Sequence, residues 1–286
     1  MFRRHIQLRD PGTSLRGSSE VEVVLIIHED FDAVLNHLSS LRSIRNYRLE
    51  PGPSKTIRDT YFDTPDGRLR TRGTNVRIRE IDGAFFISTK WGARRTLKGA
   101  TLRKEVEVPW SERALRNLIK DLKLEIGGSP WHQFSEATPI ESMKTIGLQM
   151  TQDRETNREV RNISSWLKPT LVIAELAIDR VTYHIGNHNA SIFEVEVEEK
   201  AKKSSSVVRD VTKALIHAYQ PALQKWSQGK LVTGLAIQRL LETEPVDNLL
   251  DHDRLRPEAF IRIDQTVRLW RKSWSRRLVR TLMSRN

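Results

Sequence analysis

Alternating hydrophobic and polar positions recur along the chain and predict a protein rich in β-strands. Side chains two residues apart share one face of a strand, so a period of two marks a strand with one polar face. The alternation begins at Glu20 and predicts eight strands, near residues 20–27, 56–63, 74–81, 84–91, 101–109, 148–163, 170–184 and 191–200. Asp82-Gly83, between the third and fourth strands, is typical of a two-residue hairpin turn.

Apolar residues spaced by three or four positions predict helices between these strands and after them. The predicted helices cover residues 30–41, 111–124, 140–146, 205–219 and 226–242, with Ser111 as a capping residue. Eight antiparallel strands can close into a barrel whose interior just accommodates side chains or one small ligand. We therefore predict an α+β fold, an eight-stranded antiparallel β-barrel with flanking helices.

The distribution of charge along the chain says more about the protein than its net charge does. The 286 residues include 48 Lys and Arg against 36 Asp and Glu, a net charge of +12, which favours an anionic partner. Residues 1–18 contribute +3 and residues 251–286 contribute +6, so the body of the chain is densely charged but nearly balanced. We predict a flexible basic tail over 1–18, a barrel domain over 19–245 and a basic helical extension over 246–286.

In six predicted strands the charged residues fall on one face and apolar residues on the other. The charged faces carry Glu20 and Glu22; Arg77 and Arg79; Arg103, Glu105 and Glu107; Arg154 and Arg158; Glu175 and Asp179; and Glu194, Glu196 and Glu198. A solvated polar face explains any single strand of this kind. Recurrence in six strands, some bearing only carboxylates and others mostly guanidinium groups, favours a charged barrel interior. Carboxylates suit Mg²⁺ or Mn²⁺ and arginines suit phosphate oxygens, so such an interior indicates a polyphosphate with bound metal.

Several other kinds of site are not expected. The chain has no cysteine, which excludes disulfides, thiolate nucleophiles and cysteine-ligated metals. No Walker loop, dinucleotide-binding glycine motif or His-Glu-x-x-His motif occurs. Aromatic residues make up only 7% and form no stacking platform on a strand face, so nucleic-acid binding is a weaker reading of the basic composition.

Motifs along roughly residues 19–240 resemble those of the CYTH superfamily, the triphosphate tunnel metalloenzymes. Residues 61–66 read YFDTPD and residues 75–79 read NVRIR, and together they form the most specific match. Glu20-x-Glu22 is similar to the start of an ExExK signature, and residues 194–198, EVEVE, are similar to a metal-binding strand. Further matches occur in the expected order along the chain, at Lys90, Arg103 to Glu107, Arg154, Glu175-x-x-x-Asp179 and Ser227-x-x-Lys230.

This resemblance implies a tunnel-shaped barrel that hydrolyses a triphosphate with Mg²⁺ or Mn²⁺, most simply inorganic tripolyphosphate. It implies catalytic roles for Glu20, Glu22 and Lys90. The implied phosphate-binding residues are Arg77, Arg79, Lys90, Arg103, Arg154, Arg158 and Lys230. The implied metal ligands are Glu20, Glu22, Asp179, Glu194 and Glu196.

One position departs from the family pattern. The third residue of the ExExK signature is Val24 here, where a lysine that helps to bind phosphate is expected. A non-hydrolysing phosphate or polyphosphate-binding module is therefore an alternative function. Relatives acting on a nucleoside or thiamine triphosphate are further alternatives that the motifs do not distinguish.

Residues 267–282 combine an apolar stripe at helical spacing with arginines on the remaining surface. The simplest interpretation is a helix that packs on the barrel with solvated arginines. The alternative is contact with an acidic partner or a membrane surface. The N-terminus has no apolar segment typical of a secretory signal, so we expect a cytoplasmic protein.

Overall fold

A computed structural model describes the backbone of residues 18–95, 101–124, 134–201 and 204–283. Side chains are described for residues 21–92, 105–124, 134–201 and 204–271. The strands are β1 (Ser18–Ile27), β2 (Ser43–Ile44), β3 (Tyr47–Pro51), β4 (Lys55–Asp63), β5 (Asn75–Ile81), β6 (Ala84–Arg95), β7 (Thr101–Pro109), β8 (Gln149–Ser165), β9 (Ala174–Ile185), β10 (His188–Glu199), β11 (Leu223–Lys225), β12 (Leu250–Asp251) and β13 (Arg254–Leu255). The helices are α1 (Phe31–Ser40), α2 (Arg68–Thr71), α3 (Glu112–Leu122), α4 (Pro139–Thr145), α5 (Ser205–Tyr219), α6 (Lys230–Leu241) and α7 (Pro257–Met283).

The eight long strands are connected in a cyclic order through antiparallel pairing. The order runs β1, β7, β6, β5, β4, β8, β9 and β10, and β10 pairs with β1 again. β1 pairs with β7 along its first half and with β10 along its second half. The predicted α+β fold with an eight-stranded antiparallel tunnel and flanking helices is confirmed.

The predicted hairpin at Asp82-Gly83 has the backbone that its sequence requires. Asp82 has a φ of 51° and Gly83 a φ of 76°, and a turn with two positive φ values matches the twist of the strands it joins. Ser111 caps α3, as predicted, by accepting a hydrogen bond from the backbone N–H of Ala114 at 3.2 Å.

Some element boundaries were predicted wrongly. The hairpin of β2 and β3 was missed, because two and five residues are too short to show a convincing alternation. The last helix of the barrel domain was predicted from residue 226, but α6 begins at Lys230 after β11. The intervening residues 226–229 form the loop that leads Lys230 into the barrel.

Helices cover the apolar outer faces of the strands. Outward-facing residues of β1, β9 and β10, such as Val23, Leu176 and Val195, form a core with α1 and α5. Outward-facing residues of β4, β5 and β6, such as Val76, form a second core with α2, α3 and α4. Because neighbouring residues of a strand point to opposite faces, the charged residues between these positions face the interior.

One end of the interior is occupied by α6. Tyr183 and Gln152 face inward there and bond to the carbonyl oxygens of Lys230 and Leu231, each at 3.0 Å. A Cβ atom on Gly234 would lie 2.2 Å from the Gln152 side chain, so only glycine permits this approach. The first part of α7 packs on α6, with Ile263 and Val267 buried in the same core.

This packing agrees with the simplest interpretation of the C-terminal helix for its first part. Val267 is 2% exposed and Trp270 is partly buried against the core that α6 shares. Side chains from residue 272 onward, which include most of the predicted basic surface, lie outside the described residues. Within the part of the chain that the structure describes, no helix combines the length and apolar character needed to cross a membrane.

Candidate functional site

The inner surface of the barrel carries two clusters of charged side chains. The first, which we call the arginine cluster, consists of Arg77 and Arg79 of β5 and Arg154 of β8 around Asp59 and Tyr61 of β4. The register of the sheet brings them together, because Asp59 pairs with Arg79 on one side and with Arg154 on the other. Tyr61 pairs with Arg77 in the same way.

Asp59 binds all three arginines although it is only 1% exposed. Arg79 donates from Nε to Oδ1 at 2.8 Å, and Arg154 donates from Nη2 to Oδ2 at 2.7 Å. Arg77 Nε lies 3.4 Å from Oδ1. Burial alone would raise the pKa of Asp59, but attraction by the three guanidinium groups outweighs it and holds that pKa well below its usual value. Asp59 is therefore ionised at neutral pH.

Tyr61 connects two of the arginines from the other side. Its hydroxyl accepts hydrogen bonds from Arg77 Nη1 at 3.0 Å and from Arg154 Nη2 at 2.9 Å. Burial would raise the pKa of Tyr61, yet the neighbouring positive charges of Arg154 and Arg77 lower it overall. The tyrosine thus holds the two guanidinium groups in fixed positions on the inner wall.

Strands β6 and β7 extend the arginine cluster along the interior. Glu105 accepts from Arg77 Nη2 at 2.9 Å and lies 2.6 Å from Lys90 Nζ. Glu107 lies 3.2 Å from Arg79 Nη1. Ser88 donates to Glu105 at 3.0 Å. Lys90 therefore belongs to the same network of ion pairs as the three arginines.

The second cluster, which we call the carboxylate cluster, consists of Asp179 of β9 and Glu194 and Glu196 of β10, with Arg158 of β8 and Lys230 of α6. Lys230 Nζ lies 2.8 Å from Glu194 and 3.1 Å from Asp179, and it also donates to Glu196. Arg158 binds both oxygens of Asp179, at 2.7 and 2.6 Å, and also contacts Glu196. One lysine is thus surrounded by three carboxylates.

The pKa values of Glu194 and Glu196 are displaced in opposite directions. Burial would raise the pKa of Glu196, but Lys230 and Arg158 hold it well below its usual value. For Glu194, burial is the larger effect and raises its pKa despite the opposing charge of Lys230. Burial would lower the pKa of Lys230, yet Glu194, Glu196 and Asp179 raise it, so the lysine is charged. The charged form of Glu194 is therefore less stabilised by its surroundings than that of Glu196.

A hydrogen-bonded chain links the Lys230 loop to α7. The Gln228 side chain, 2% exposed, donates to Asp264 Oδ1 at 2.9 Å and accepts from Arg271 Nη2 at 2.7 Å. Trp226 in the same loop donates its backbone N–H to the carbonyl oxygen of Val24 on β1 at 2.9 Å. The position of Lys230 therefore depends on contacts with both β1 and the C-terminal helix.

Buried polar atoms without hydrogen bonds mark where a ligand would be stabilised. In the arginine cluster these atoms are Nε and Nη1 of Arg154 and Nε of Arg77. In the carboxylate cluster both oxygens of Glu194 are buried, and Lys230 Nζ lies 2.8 Å from Oε2. Buried polar groups are nearly always bonded in folded proteins, so these donors call for an anion or water and these acceptors for a cation or water.

The carboxylate cluster fits a divalent cation by its chemistry. Carboxylate oxygens are the ligands that Mg²⁺ and Mn²⁺ prefer, and the buried carboxylate of Glu194 keeps a raised pKa despite its ion pair with Lys230. The positive charges of Lys230 and Arg158 do not balance the three carboxylates of this cluster. Among the residues whose side chains are described, no three potential ligands converge as a preformed metal site, since Lys230 lies between them.

Most residues singled out in the sequence lie in these two clusters. The structure brings together Arg77, Arg79, Lys90, Arg154, Arg158, Asp179, Glu194, Glu196 and Lys230. Glu22 is half-buried on β1 beside Glu198. Glu20 and Arg103 pair through their strands, but their side chains lie outside the described residues. Val24 pairs with Glu196 on the inner face.

Two central residues were not assigned a role from the sequence, Asp59 and Tyr61. They lie on β4 with the same parity, so the alternation that identified the other strands also places them on one face. An acidic residue on a strand that lies between two arginine-bearing strands is the expected ion-pair partner of those arginines. Asp59 could have been identified in that way, whereas the two hydrogen bonds to Tyr61 depend on the register of the sheet.

Comparison with known proteins identifies a family. The model of the CYTH domain matches residues 19–227, which is most of the chain. No curated protein matched the chain in a sequence comparison.

Similar solved structures are distant from this chain in sequence. HpAC1 from Hippeastrum, described as having a dominant triphosphatase activity, is 15% identical with a TM-score of 0.47, and the match covers 80% of this chain and 99% of HpAC1. PH1819 from Pyrococcus horikoshii OT3 is 14% identical with a TM-score of 0.43, covering 79% and 99% of the two chains. The RNA triphosphatase Pct1 from S. pombe is 10% identical with a TM-score of 0.30, covering 70% and 82%.

Proposed function

The chain belongs to the CYTH domain family, and from that premise we propose that it hydrolyses a triphosphate, with inorganic tripolyphosphate as the substrate, inside the charged barrel. The observation that carries this proposal is the pair of opposite clusters on one inner surface. One cluster presents guanidinium donors that lack acceptors, and the other presents a buried carboxylate, Glu194, whose contact with Lys230 does not offset its burial. A polyphosphate anion accompanied by a divalent cation satisfies both.

The arginine cluster would bind the phosphate oxygens. Guanidinium groups form charge-assisted hydrogen bonds with phosphate oxygens, and Nε and Nη1 of Arg154 are buried and have no other hydrogen-bond acceptor. Arg77 and Arg79 are already held by Asp59 and Tyr61, so little side-chain entropy would be lost on binding. Arg103, Arg158, Lys90 and Lys230 would complete the cationic lining.

The carboxylate cluster would hold Mg²⁺ or Mn²⁺. The ligands we propose are Glu194, Glu196 and Asp179, together with Glu20 and Glu22 of β1. A bound cation would neutralise part of the phosphate charge and would lower the pKa of a water molecule bound to it. A metal ion bound among the three carboxylates would repel the ammonium group of Lys230. Lys230 would therefore move toward a phosphate oxygen when the substrate and the cation bind together.

In the proposed reaction water attacks the terminal phosphorus in line with the bond that breaks. The new P–O bond forms as the phosphoanhydride bond is cleaved, and the products are phosphate and diphosphate. The charge that develops on the leaving oxygen would be stabilised by the guanidinium groups and Lys90. Glu20 and Glu22 would orient the attacking water and accept its proton, so no covalent enzyme intermediate is required.

The direct test is phosphate release from tripolyphosphate by the full-length protein. We expect release with Mg²⁺ or Mn²⁺ and none with a chelator. Arg77→Ala and Glu194→Ala should each reduce the rate by about a hundredfold or more, the scale of losing one positioned electrostatic group. Arg58→Ala is the matched control, because Arg58 lies on β4 but is exposed and pairs with Asp153 outside the clusters. Thiamine triphosphate and ATP in the same assay would identify the preferred substrate.

A non-hydrolysing phosphate-binding module is the second candidate, and two observations favour it. Val24 occupies the position of an expected lysine, and Lys230 lies between the proposed metal ligands. This candidate predicts tight binding of tripolyphosphate without phosphate release, with binding lost in Arg77→Ala. Absence of both release and binding in the wild-type protein would contradict both candidates.

A further inference from the structure

The turn between β8 and β9 exposes large apolar side chains far from the two clusters. Trp166 is 60% exposed, Leu167 is 94% exposed and Leu171 is 49% exposed. These are three of the six exposed large hydrophobic residues in the part of the chain whose side chains are described, and they lie within one short segment. We call residues 165–173 the β8–β9 tip.

The β8–β9 tip is an ordered structure. The backbone N–H of Lys168 donates to the carbonyl oxygen of Ser165, that of Leu171 donates to Lys168, and that of Ile173 donates to Ile163. Ser165 Oγ also accepts from the backbone N–H of Lys168 at 3.1 Å. Ile173 packs against the barrel core below the tip. The apolar side chains are therefore held outward by a hydrogen-bonded turn.

Cations accompany these apolar residues, and neither adjacent turn contains a carboxylate. β3 pairs with the end of β8, with Tyr47 opposite Ser165, so the turn between β2 and β3 lies beside the tip. That turn contributes the exposed Arg45, the exposed Arg42 lies just before β2, and the tip contributes the exposed Lys168. Residues 41–49 and 164–173 include four Lys or Arg and no Asp or Glu. Arg48 alone of these four forms an ion pair, with Glu50, among the pairs described.

We propose that the β8–β9 tip binds the surface of a membrane that contains anionic phospholipids. A projecting turn with Trp and Leu can insert into the boundary between headgroups and acyl chains, where tryptophan is favoured. The neighbouring cations would bind the headgroup phosphates. This proposal does not depend on the proposed triphosphatase activity, since the tip shares no residue with either cluster.

A second copy of the chain is a less suitable partner for this surface. In a two-fold symmetric dimer the same patch faces itself, so the cations of the two turns would be brought together. Like charges at close range repel, and no carboxylate is present in either turn to offset them. An anionic surface has the charge that complements the patch.

The test is cosedimentation of the full-length protein with vesicles of phosphatidylcholine, with and without phosphatidylserine. We expect binding to the vesicles that contain phosphatidylserine, weakened by added salt.

The double variant Trp166→Ser with Leu167→Ser should bind at least about tenfold more weakly. The free energy gained by burying even one leucine-sized side chain changes the binding constant by about that factor. Arg45→Glu with Lys168→Glu should also weaken binding.

Matched controls separate the tip from the rest of the surface. Met150→Ser changes an exposed apolar residue, 52% exposed, at the opposite end of the same strand, and Arg239→Glu changes an exposed cation on α6. Neither should affect vesicle binding. The tip variants should unfold at the wild-type urea concentration and release phosphate at the wild-type rate, because the changed side chains are exposed and outside the clusters.

Three results would overturn the proposal. The first is that the wild-type protein fails to bind the anionic vesicles. The second is that the double variant binds them as well as the wild type, which would assign binding to another basic region. The third is that the double variant converts a dimer into a monomer, as measured by analytical ultracentrifugation, without changing vesicle binding. That result would show that the tip joins two copies of the chain.

Discussion

The two clusters inside the barrel have opposite arrangements of charge. In the arginine cluster one carboxylate, Asp59, is surrounded by three arginines, and in the carboxylate cluster one lysine, Lys230, is surrounded by three carboxylates. Both central groups are covered by the fold and carry pKa values displaced in favour of the charged form. Each cluster therefore contains one buried ion surrounded by several ions of opposite charge, and the signs are reversed between the two clusters.

The clusters differ in how completely the central ion is bound. Asp59 lies on a strand and accepts hydrogen bonds from fixed neighbours on both adjacent strands. Lys230 is the first residue of a helix and reaches the cluster on a long side chain, and its ion pair with Glu194 does not offset the burial that raises the pKa of that carboxyl group. We infer that Asp59 is part of the folded framework, while Lys230 can respond to a ligand. Three predictions test this difference.

The largest expected effect is that of Asp59→Asn on stability. Removing the carboxylate leaves three guanidinium groups without their shared counter-ion, and breaking a buried ion pair typically costs about 3–5 kcal/mol. We expect a loss of that size in the free energy of unfolding, measured by urea denaturation. Asp153→Asn is the control, since Asp153 pairs with the exposed Arg58 and such pairs contribute at most about 1 kcal/mol.

Added phosphate should sharpen the result for Asp59→Asn. An anion bound among the uncompensated arginines replaces the lost carboxylate, so inorganic phosphate should stabilise the variant more than it stabilises the wild type. Equal stabilisation of both proteins would show that Asp59 does not occupy an anion site, and a stability loss no larger than that of the control would refute its framework role.

The second prediction concerns Lys230 and should appear in activity. Lys230→Ala removes the cation that we propose moves to the phosphate, so phosphate release should fall by about a hundredfold. Val24 lies on the inner face opposite Glu196, which Lys230 also contacts, so a lysine introduced there can approach the same carboxylate. Lys230→Ala with Val24→Lys should therefore recover part of the lost activity.

The Val24→Lys change alone provides the converse test. If the missing signature lysine limits turnover, this variant should be more active than the wild type. If Lys230 already supplies the cation, its activity should stay near that of the wild type while the double variant shows the recovery. Wild-type activity in Lys230→Ala itself would contradict the ligand-responsive role.

Much of this site could be predicted because its information is local. Parity along a strand places Arg77 beside Arg79 and Glu194 beside Glu196 on one face, whatever the rest of the fold. The partners of Asp59 could not be deduced in this way, because they depend on the register between β4, β5 and β8. The insertion of Lys230 between the carboxylates depends on a loop of four residues and on the contacts of Gln228 with α7, which no periodic pattern encodes.

The smallest expected effect separates the two clusters by their dependence on pH in the absence of divalent cations. The pKa of Asp59 in the folded state lies below its usual value, so its contribution to stability is present at neutral pH and is lost as the pH falls through the acidic range. Glu194 behaves oppositely. Its pKa in the folded state is raised, so the folded state binds a proton more readily than the unfolded state, and stability falls as the pH rises from the usual glutamate pKa to the raised folded-state pKa. Glu194→Gln removes this opposing contribution, and at neutral pH it should leave the protein as stable as the wild type or more stable by on the order of 1 kcal/mol.

The matched control for Glu194→Gln is Glu198→Gln, four residues further along the same face. Glu198 is half-buried and lies 2.8 Å from Lys200, so losing its charge should reduce stability slightly instead of increasing it. Urea denaturation in the presence of a chelator, repeated from acidic to neutral pH, measures both variants. Glu194→Gln should also abolish any stabilisation of the folded protein by added Mg²⁺ or Mn²⁺, a readout that requires no turnover. A clear loss of stability in Glu194→Gln at neutral pH would mean that Lys230 satisfies this carboxylate as fully as the arginines satisfy Asp59, and the contrast between the two clusters would then be wrong.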